Sequence, residues 1–241
     1  MTKIFIPRDT TSCALGADRV AQVIQRTIEE NQLALQVIRN GSRGLYRLEP
    51  MIEVETEQGR IAYGPITMDE VDDFIAAECW IKNESHPLYL GLTEEIAFLK
   101  NQQRISFARV GIIEPTSVDD YCQQGGFVGL KNALAMKPAE IVSCVTRSGL
   151  RGRGGAAFPT GIKWQTVLDA VAEQKIIVCN ADEGDSCTYS DRMLMESDPF
   201  SLIEGMVIAG IAVGATVGYI YLREEYPLAH EVLGKAIETA N

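Results

Sequence analysis

The sequence predicts an α/β protein made of two α/β units joined by a helical stretch. Up to residue 83, short apolar runs and helical patches follow the order β, α, β, β, β, α. From 84 to 147, helical patches broken by glycine and proline dominate, and from Gly149 onward a glycine loop, helix, strand, acidic loop, helix and strand alternate. At 241 residues and 46% apolar composition the chain can bury one large core or two ordinary ones, which excludes a disordered chain.

The first unit opens with KIFIPRD, a β-like run stopped by proline. A helix follows in which Val20, Ile24 and Ile28 share one face and Asn31 closes the last turn. Leu33 to Ile38 reads as a strand, NGSRG as a loop, and MIEVET with RIAYG as a hairpin around Glu57, Gln58 and Gly59. TMDEVDDFIAA reads as a helix with Thr67 as N-cap and acidic residues in its first turn. This order over residues 1–83 is that of a small α/β domain such as a thioredoxin-like fold. NESHPLYLGL, EEIAFLKNQQRISF and SVDDYCQQGGFVGLKNALAMKPAEIVSCV make residues 84–147 a helical connector.

The second unit, 148–241, starts with SGLRGRGGAAFPTGIKW, Ser148 to Trp164. Its glycines let backbone N–H groups converge, and Arg151, Arg153 and Lys163 add positive charge, a combination suited to phosphate. Pro159 stands near the first turn of a helix whose apolar face is Trp164, Val167, Leu168 and Val171, so the helix dipole favours the same anion. The run is neither GxxxxGK[ST] nor GxGxxG, and a plain glycine turn with solvated basic residues is the competing reading. The strand KIIVCN ends in NADEGDS, placing Asn180, Asp182, Glu183 and Asp185 where open α/β sheets bind ligands. Carboxylates there repel phosphate but accept hydrogen bonds from sugar or ribityl hydroxyls. LIEGMVIAGIAVGATVGYIYLREEYP is a packing helix and a strand, with Glu204 and the cluster Arg223, Glu224, Glu225 read as a solvated edge. The whole alternation predicts a doubly wound sheet with parallel strands, Rossmann-like in type.

Charge and cysteine usage narrow the functional classes. With 33 acidic against 22 basic residues the net charge is −11, which disfavours nucleic acid and anionic lipid as partners. No signal-peptide pattern and no unbroken membrane-length apolar run is present, so the expectation is a cytoplasmic protein without direct membrane insertion. The six cysteines form no CxxC pair, and a disulfide framework or zinc site has no support. His86 and His230 read as ordinary surface histidines, and no metal-binding residue is assigned.

SGLRGRGGAAFPTGIKW, VCNADEGDS, SDRMLMESDPFSLIEGM and GYIYLREEYP, in that order, closely resemble the flavin-binding subunit of NADH dehydrogenases. That family includes the NADH-oxidising subunit of respiratory complex I, the diaphorase subunit of NAD-reducing hydrogenase and the beta subunit of soluble NAD-dependent formate dehydrogenase. FIPRDTTSCALGADRV and RNGSRGLYRLEP look most like the formate dehydrogenase beta subunit, which carries a thioredoxin-like domain ahead of the flavin domain.

The resemblance implies FMN and NAD as cofactors. It places Gly152, Arg153, Gly154, Gly155 and Lys163 around the FMN phosphate, Asn180 and Asp182 on the ribityl side and Glu183 beside the isoalloxazine. For NAD it implies Phe158 stacking on adenine, with Glu183 and Asp185 near the nicotinamide half. No side chain is implied as general acid or base, so no catalytic residue is assigned; the flavin carries the redox chemistry. Asp185 stands where complex I relatives have Glu, Thr166 where they have a second stacking aromatic, and Cys187 where NADEGDSG has glycine. Of the cysteines that bind a [2Fe-2S] cluster in related thioredoxin-like domains only Cys13 is present, which points to a docking module. The family's later glycine and glutamate loop, ubiquitin-like domain and [4Fe-4S] helical bundle have no counterpart in these residues.

The implied function is a diaphorase subunit exchanging electrons between iron–sulfur clusters and NAD through FMN. Its implied partners are a thioredoxin-like [2Fe-2S] gamma subunit and a molybdenum-containing alpha subunit. A hydrogenase or complex I-type diaphorase is the alternative within the family, and a non-catalytic flavin-binding interaction module the alternative outside it. The acidic loop disfavours a 2′-phosphate and so favours NAD over NADP.

Overall fold

The computed structural model describes every residue except Lys82, Asn83, Ser85 and Asn241, so the domain boundary expected at 83 lies outside the described residues. β1 (Thr2–Phe5) leads through α1 (Thr10–Ala14) and α2 (Ala17–Glu30) to β2 (Leu35–Ile38), which lies parallel to it with Ile4 opposite Val37. β3 (Ile52–Thr56) and β4 (Gly59–Tyr63) form the expected hairpin, with β3 antiparallel to β1. After α3 (Val71–Ala76), β5 (Tyr89–Leu92) pairs antiparallel with β4. The sheet order β2-β1-β3-β4-β5 is the thioredoxin-like arrangement extended by one edge strand.

Val20, Ile24 and Ile28 of α2 do face the sheet, packing with Ile4, Ile52, Val54, Tyr63 and Phe74 in one core. Asn31 caps the helix, its Nδ2 donating to the Thr27 carbonyl at 3.0 Å. Thr67 is not the N-cap of α3. It opens a preceding turn, its N–H and hydroxyl both donating to Glu70, and the regular helix starts at Val71. Thr67 Oγ1 also accepts the Asp69 N–H at 3.2 Å and its carbonyl accepts the Val71 N–H at 3.0 Å, so Thr67 and Glu70 make the reciprocal bonds of a capping box one turn ahead of the regular helix.

Two further corrections come from burial. β5 places a strand inside the stretch expected to be a mostly helical connector, because its backbone completes the β4 edge. His86 is buried rather than superficial, edge-on to the rings of Tyr63 and Phe74. The NGSRG loop also turns inward: Arg43 is buried and grips the buried Glu53 of β3 through two hydrogen bonds, Nε to Oε1 at 2.8 Å and Nη2 to Oε2 at 2.9 Å.

The remaining connector is helical: α4 (Ala97–Lys100), α5 (Val118–Gln123), α6 (Val128–Leu134) and α7 (Pro138–Ser148). α8 (Thr160–Asp169) packs on α7, and its Trp164, Val167 and Leu168 join Ile141, Val142 and Ile177 in a second core. Val171, expected on that face, falls beyond the helix end and is exposed. β6 (Ile176–Ala181) is followed by α9 (Ser190–Ser197), α10 (Pro199–Val213) and then β7 (Val217–Leu222), which runs parallel to β6 with Asn180 opposite Tyr221. α11 (Pro227–Ala240) packs beside α9, where Tyr226, Ala229 and Leu233 meet Ala181 and Met195.

The predicted parallel βαβ alternation is therefore present. Its two described strands expose Val178, Tyr219 and Tyr221 on one face, so helices cover one side of the sheet where a doubly wound arrangement covers both. Glu204 is not a solvated edge residue. It is buried in α10 and accepts the N–H groups of Phe127 and Leu130 at 2.9 and 2.8 Å and the Tyr121 hydroxyl. Among the described residues no helix is long and apolar enough to cross a membrane.

The first unit meets the second at the junction of α9 and α10. The Thr10 N–H donates to Glu196 at 2.8 Å, Arg192 donates to the Thr11 hydroxyl at 2.9 Å and Arg109 pairs with the buried Asp198 at 2.9 Å. A Cβ on Gly41 would lie 2.1 Å from the Ser197 hydroxyl, so only glycine permits this approach without a shift.

Candidate functional site

The glycine loop is a short antiparallel turn pinned at its neck. The Gly152 N–H donates to the Phe158 carbonyl at 2.9 Å, and the Thr160 N–H to the Leu150 carbonyl at 2.9 Å. Gly152 therefore uses its N–H within the loop itself, and its place near a phosphate would be one of close approach rather than donation. Gly149 ends α7 in the left-handed region, and Gly155 adopts φ +102°, a conformation that side chains disfavour. A Cβ on Gly154 or Gly155 would enter open space, and neither N–H has a protein acceptor among the described residues.

Of the three cations, Arg151 is bound back to the Ala157 carbonyl at 2.9 Å. Arg153 and Lys163 are exposed and have no acidic or hydrogen-bonding partner among the described residues. Arg153 lies in the glycine loop and Lys163 in the first turn of α8, and positive side chains on a glycine loop and a helix N-terminus are chemistry that suits a phosphate group. Phe158 is half exposed at the loop's neck, with its ring available for stacking.

The acidic loop lies at the carboxyl end of β6. The Asn180 Oδ1 accepts the Asp182 N–H at 3.1 Å, which fixes the turn and leaves the amide Nδ2 to donate outward. Asp182 and Asp185 are exposed. Glu183 behaves differently. Its Oε1 accepts Ser190 Oγ at 3.2 Å and the Asp191 N–H at 2.7 Å, and its Oε2 accepts the Arg192 N–H at 3.0 Å and the Tyr226 hydroxyl at 3.0 Å.

A carboxylate offers about four lone-pair sites, so Glu183 is saturated by the start of α9. Partial burial raises its pKa, but the hydrogen bonds from Asp191, Arg192, Tyr226 and Ser190 outweigh this and hold it below the usual carboxylate value. In this arrangement the Glu183 carboxylate holds the start of α9, and a contact from it to a flavin or nicotinamide would compete with these hydrogen bonds. Arg223, read in the sequence as part of a solvated edge, donates to the Glu183 carbonyl at 2.7 Å and pairs with Glu225 at 2.9 Å. No hydrogen bond or ion pair among the described residues joins the glycine loop to the acidic loop.

Cys187, standing where the resembling motif has glycine, adopts φ +65°. The backbone thus keeps the left-handed turn although the side chain is sterically disfavoured there. Glu204, Arg223 and Tyr226 were beyond sequence reasoning because each acts on a segment distant in the chain.

A parallel βαβ unit, a glycine loop opening a helix and an acidic loop at the strand end define a nucleotide-binding α/β domain. Residues 145–241 match the family described as the Nuo51 FMN-binding domain. This part of the chain is thus similar to the FMN-binding domain of the 51 kDa-type flavoproteins of NADH dehydrogenases. Similar proteins include the NADP-reducing hydrogenase subunit HndC of Solidesulfovibrio fructosivorans, 55% identical over 141 residues, covering 58% of this chain and 29% of that one. An NADH-quinone oxidoreductase subunit of Aquifex aeolicus is 47% identical over 124 residues, 52% of this chain and 29% of that one. The NAD-reducing hydrogenase HoxS subunit alpha of Cupriavidus necator is 43% identical over 109 residues, 45% of this chain and 18% of that one. The chain thus spans less than a third of the length of each.

Proposed function

We propose that this chain forms the FMN-binding, NAD(H)-reacting part of a diaphorase subunit in a multisubunit oxidoreductase. The observation that carries the reading is two exposed cations without a protein partner among the described residues, Arg153 next to the open Gly154 and Gly155 in the glycine loop and Lys163 in the first turn of α8, within the residues that match the FMN-binding family.

FMN, when bound, supplies hydride exchange with a nicotinamide and single-electron exchange with iron–sulfur clusters. Lys163 and Arg153 would neutralise the phosphate, with Gly154 and Gly155 offering backbone donors at close range. Asn180 and Asp182 would meet ribityl hydroxyls, the amide donating and the carboxylate accepting. Phe158 would stack on the adenine of NAD, and Asp185 would accept from a ribose hydroxyl. In this reading Glu183 shapes the loop and touches no ligand. The exposed Asp182 and Asp185 disfavour a 2′-phosphate, which supports NAD over NADP although one relative is named NADP-reducing.

The electron partner follows from weaker support. Relatives named as hydrogenase and NADH-quinone oxidoreductase subunits favour an assembly of those kinds, and a [2Fe-2S] subunit as neighbour rests on the motif resemblance alone. A formate dehydrogenase with a molybdenum alpha subunit rests on the resemblance of the 5–20 and 39–50 segments alone. The thioredoxin-like unit would act as a docking module, since α9 and α10 already occupy the end of its sheet at Thr10 and Gly41.

The test is reconstitution of the purified chain with FMN, followed by anaerobic NADH. Stoichiometric flavin that bleaches on NADH supports the diaphorase reading. Bound flavin that NADH leaves oxidised supports the non-catalytic module instead, and failure to bind FMN rejects the assignment of the glycine loop in this chain.

A further inference from the structure

The saturated Glu183 raises the question of what keeps α9 in place to receive it. The two N–H groups that Glu183 accepts belong to Asp191 and Arg192, at the start of α9. The Arg192 side chain reaches across to the first unit: its Nη2 donates to the Thr11 hydroxyl of α1 at 2.9 Å. Its guanidinium lies 4.4 Å from the Tyr189 ring centre and 5.7 Å from that of Tyr226, the tyrosine whose hydroxyl also holds Glu183. One turn further along α9, the buried Glu196 accepts both the Thr10 N–H at 2.8 Å and the Thr10 hydroxyl at 2.5 Å. Two successive residues of α1 therefore clamp α9 at positions four apart, the spacing that puts them on one face.

We propose that Thr10 and Thr11 are positioning residues for the acidic loop: through Glu196 and Arg192 they hold α9 where its first turn binds Glu183. Glu183 sits at φ +33°, a backbone conformation that a non-glycine residue keeps only when surrounding contacts over-determine it. Four hydrogen bonds to its carboxylate and one to its carbonyl supply that determination, and three of these five partners are on α9. With α9 clamped, Asp182 and Asp185 stay exposed beside Asn180 as the polar groups the loop presents. A domain in which only one of the usual cluster cysteines remains would thereby retain a use: its α1 end orders a ligand loop in the neighbouring unit. The loop's ordering is independent of what binds there, and only the ligand side of the proposal rests on the flavin reading.

Amide hydrogen exchange on the whole chain tests this, with the Asp191 and Arg192 amides as direct reporters of the Glu183 cap. Thr11→Val keeps the shape and removes the hydroxyl; Thr11→Ser keeps the hydroxyl. The expected result is exchange at Asp191 and Arg192 rising roughly tenfold in Thr11→Val, with β3 and α10 amides unchanged and Thr11→Ser close to the parent. FMN titration should show the affinity falling severalfold in Thr11→Val and recovering in Thr11→Ser. Gly41→Ala, which pushes on Ser197 without touching any of these hydrogen bonds, should raise the same two exchange rates. Unaltered exchange in Thr11→Val overturns the proposal, as does a uniform rise across the chain that Thr11→Ser fails to reverse. A parent chain that takes up no FMN would reject the flavin reading alone, because the exchange rates still decide the clamp.

Discussion

The Glu204 carboxylate, carried by an otherwise apolar helix, accepts the Leu130 N–H at 2.8 Å and so caps the first turn of α6 from across the interior. Phe127 N–H and the Tyr121 hydroxyl complete its shell, and the Tyr121 and Phe127 rings meet edge-on beside it. Replacing Glu204 with leucine would keep the volume and strand two backbone donors and a phenol. Each buried unsatisfied group costs about 1–3 kcal/mol. Glu204→Leu should therefore lower unfolding free energy by about 3 kcal/mol or more in a urea titration, and a loss under about 1 kcal/mol would show that water replaces the carboxylate.

The buried pair of Arg43 and Glu53 behaves in the same way but with full charges. Removing Arg43 leaves the buried Glu53 with only the longer 3.4 Å contact to Arg60, and loss of a buried charge's main partner costs up to about 3–5 kcal/mol, whereas removing both partners with apolar residues is often closer to neutral. Arg43→Met should be far more destabilising than the double variant Arg43→Met, Glu53→Met. Equal losses would mean that the pair contributes through packing alone.

Glu49 carries a pH signature. Burial pushes its pKa up to about 7, against hydrogen bonds from Ser42 Oγ and the Met51 N–H and with the nearby Asp9 adding to the rise. The folded chain thus binds the Glu49 proton more tightly than the unfolded chain does. The associated stability is complete below pH 4.5, the ordinary value, and is lost as pH rises through about 7. Glu49→Gln should remove this fall, so the difference in urea midpoint between about pH 5 and about pH 8 should shrink relative to the parent. An unchanged difference would assign the pH dependence to other groups.

Cys187 at φ +65° predicts a gain on substitution. Relief of the left-handed strain, about 1–2 kcal/mol, exceeds the extra chain entropy of glycine, about 0.4–1 kcal/mol. Cys187→Gly should stabilise the chain by roughly 0.5–1 kcal/mol by thermal denaturation, and a loss would show that the thiol packs better than its exposure suggests.

Lys163 is exposed and without a protein partner among the described residues, so its removal should spare the fold. Lys163→Ala should leave the circular dichroism spectrum and melting temperature as in the parent while FMN affinity drops about tenfold or more, the loss of one charge-assisted contact. Retention of parental affinity would remove Lys163 from the phosphate site.

Local chemistry was legible in the sequence wherever the cause lay within a few residues. The face of α2, the β3–β4 hairpin, the parallel pair β6 and β7, the glycine loop and the exposed Asn180, Asp182 and Asp185 all follow from period, turn residues and strand-end position. Four elements were not legible. β5 is too short to announce itself and exists because the β4 edge accepts it. Glu204 reads as a solvated charge and Arg43 only as part of a loop, because nothing in their own segments reveals their partners. Glu183 reads as a ligand-facing group because its loop sits at a strand end, whereas only α9 and Tyr226 show that its oxygens are already taken.

The sequence by itself determined the α/β class, the parallel pair of strands β6 and β7 and the glycine loop that precedes α8, since propensity, periodicity and turn geometry act over short range. The tertiary structure decided which charges are buried, which carboxylates remain open to a ligand and how the first unit grips the second. Those outcomes depend on desolvation and hydrogen-bond saturation between groups up to 186 residues apart, as for Thr10 and Glu196, and such pairings arise only when the chain has folded.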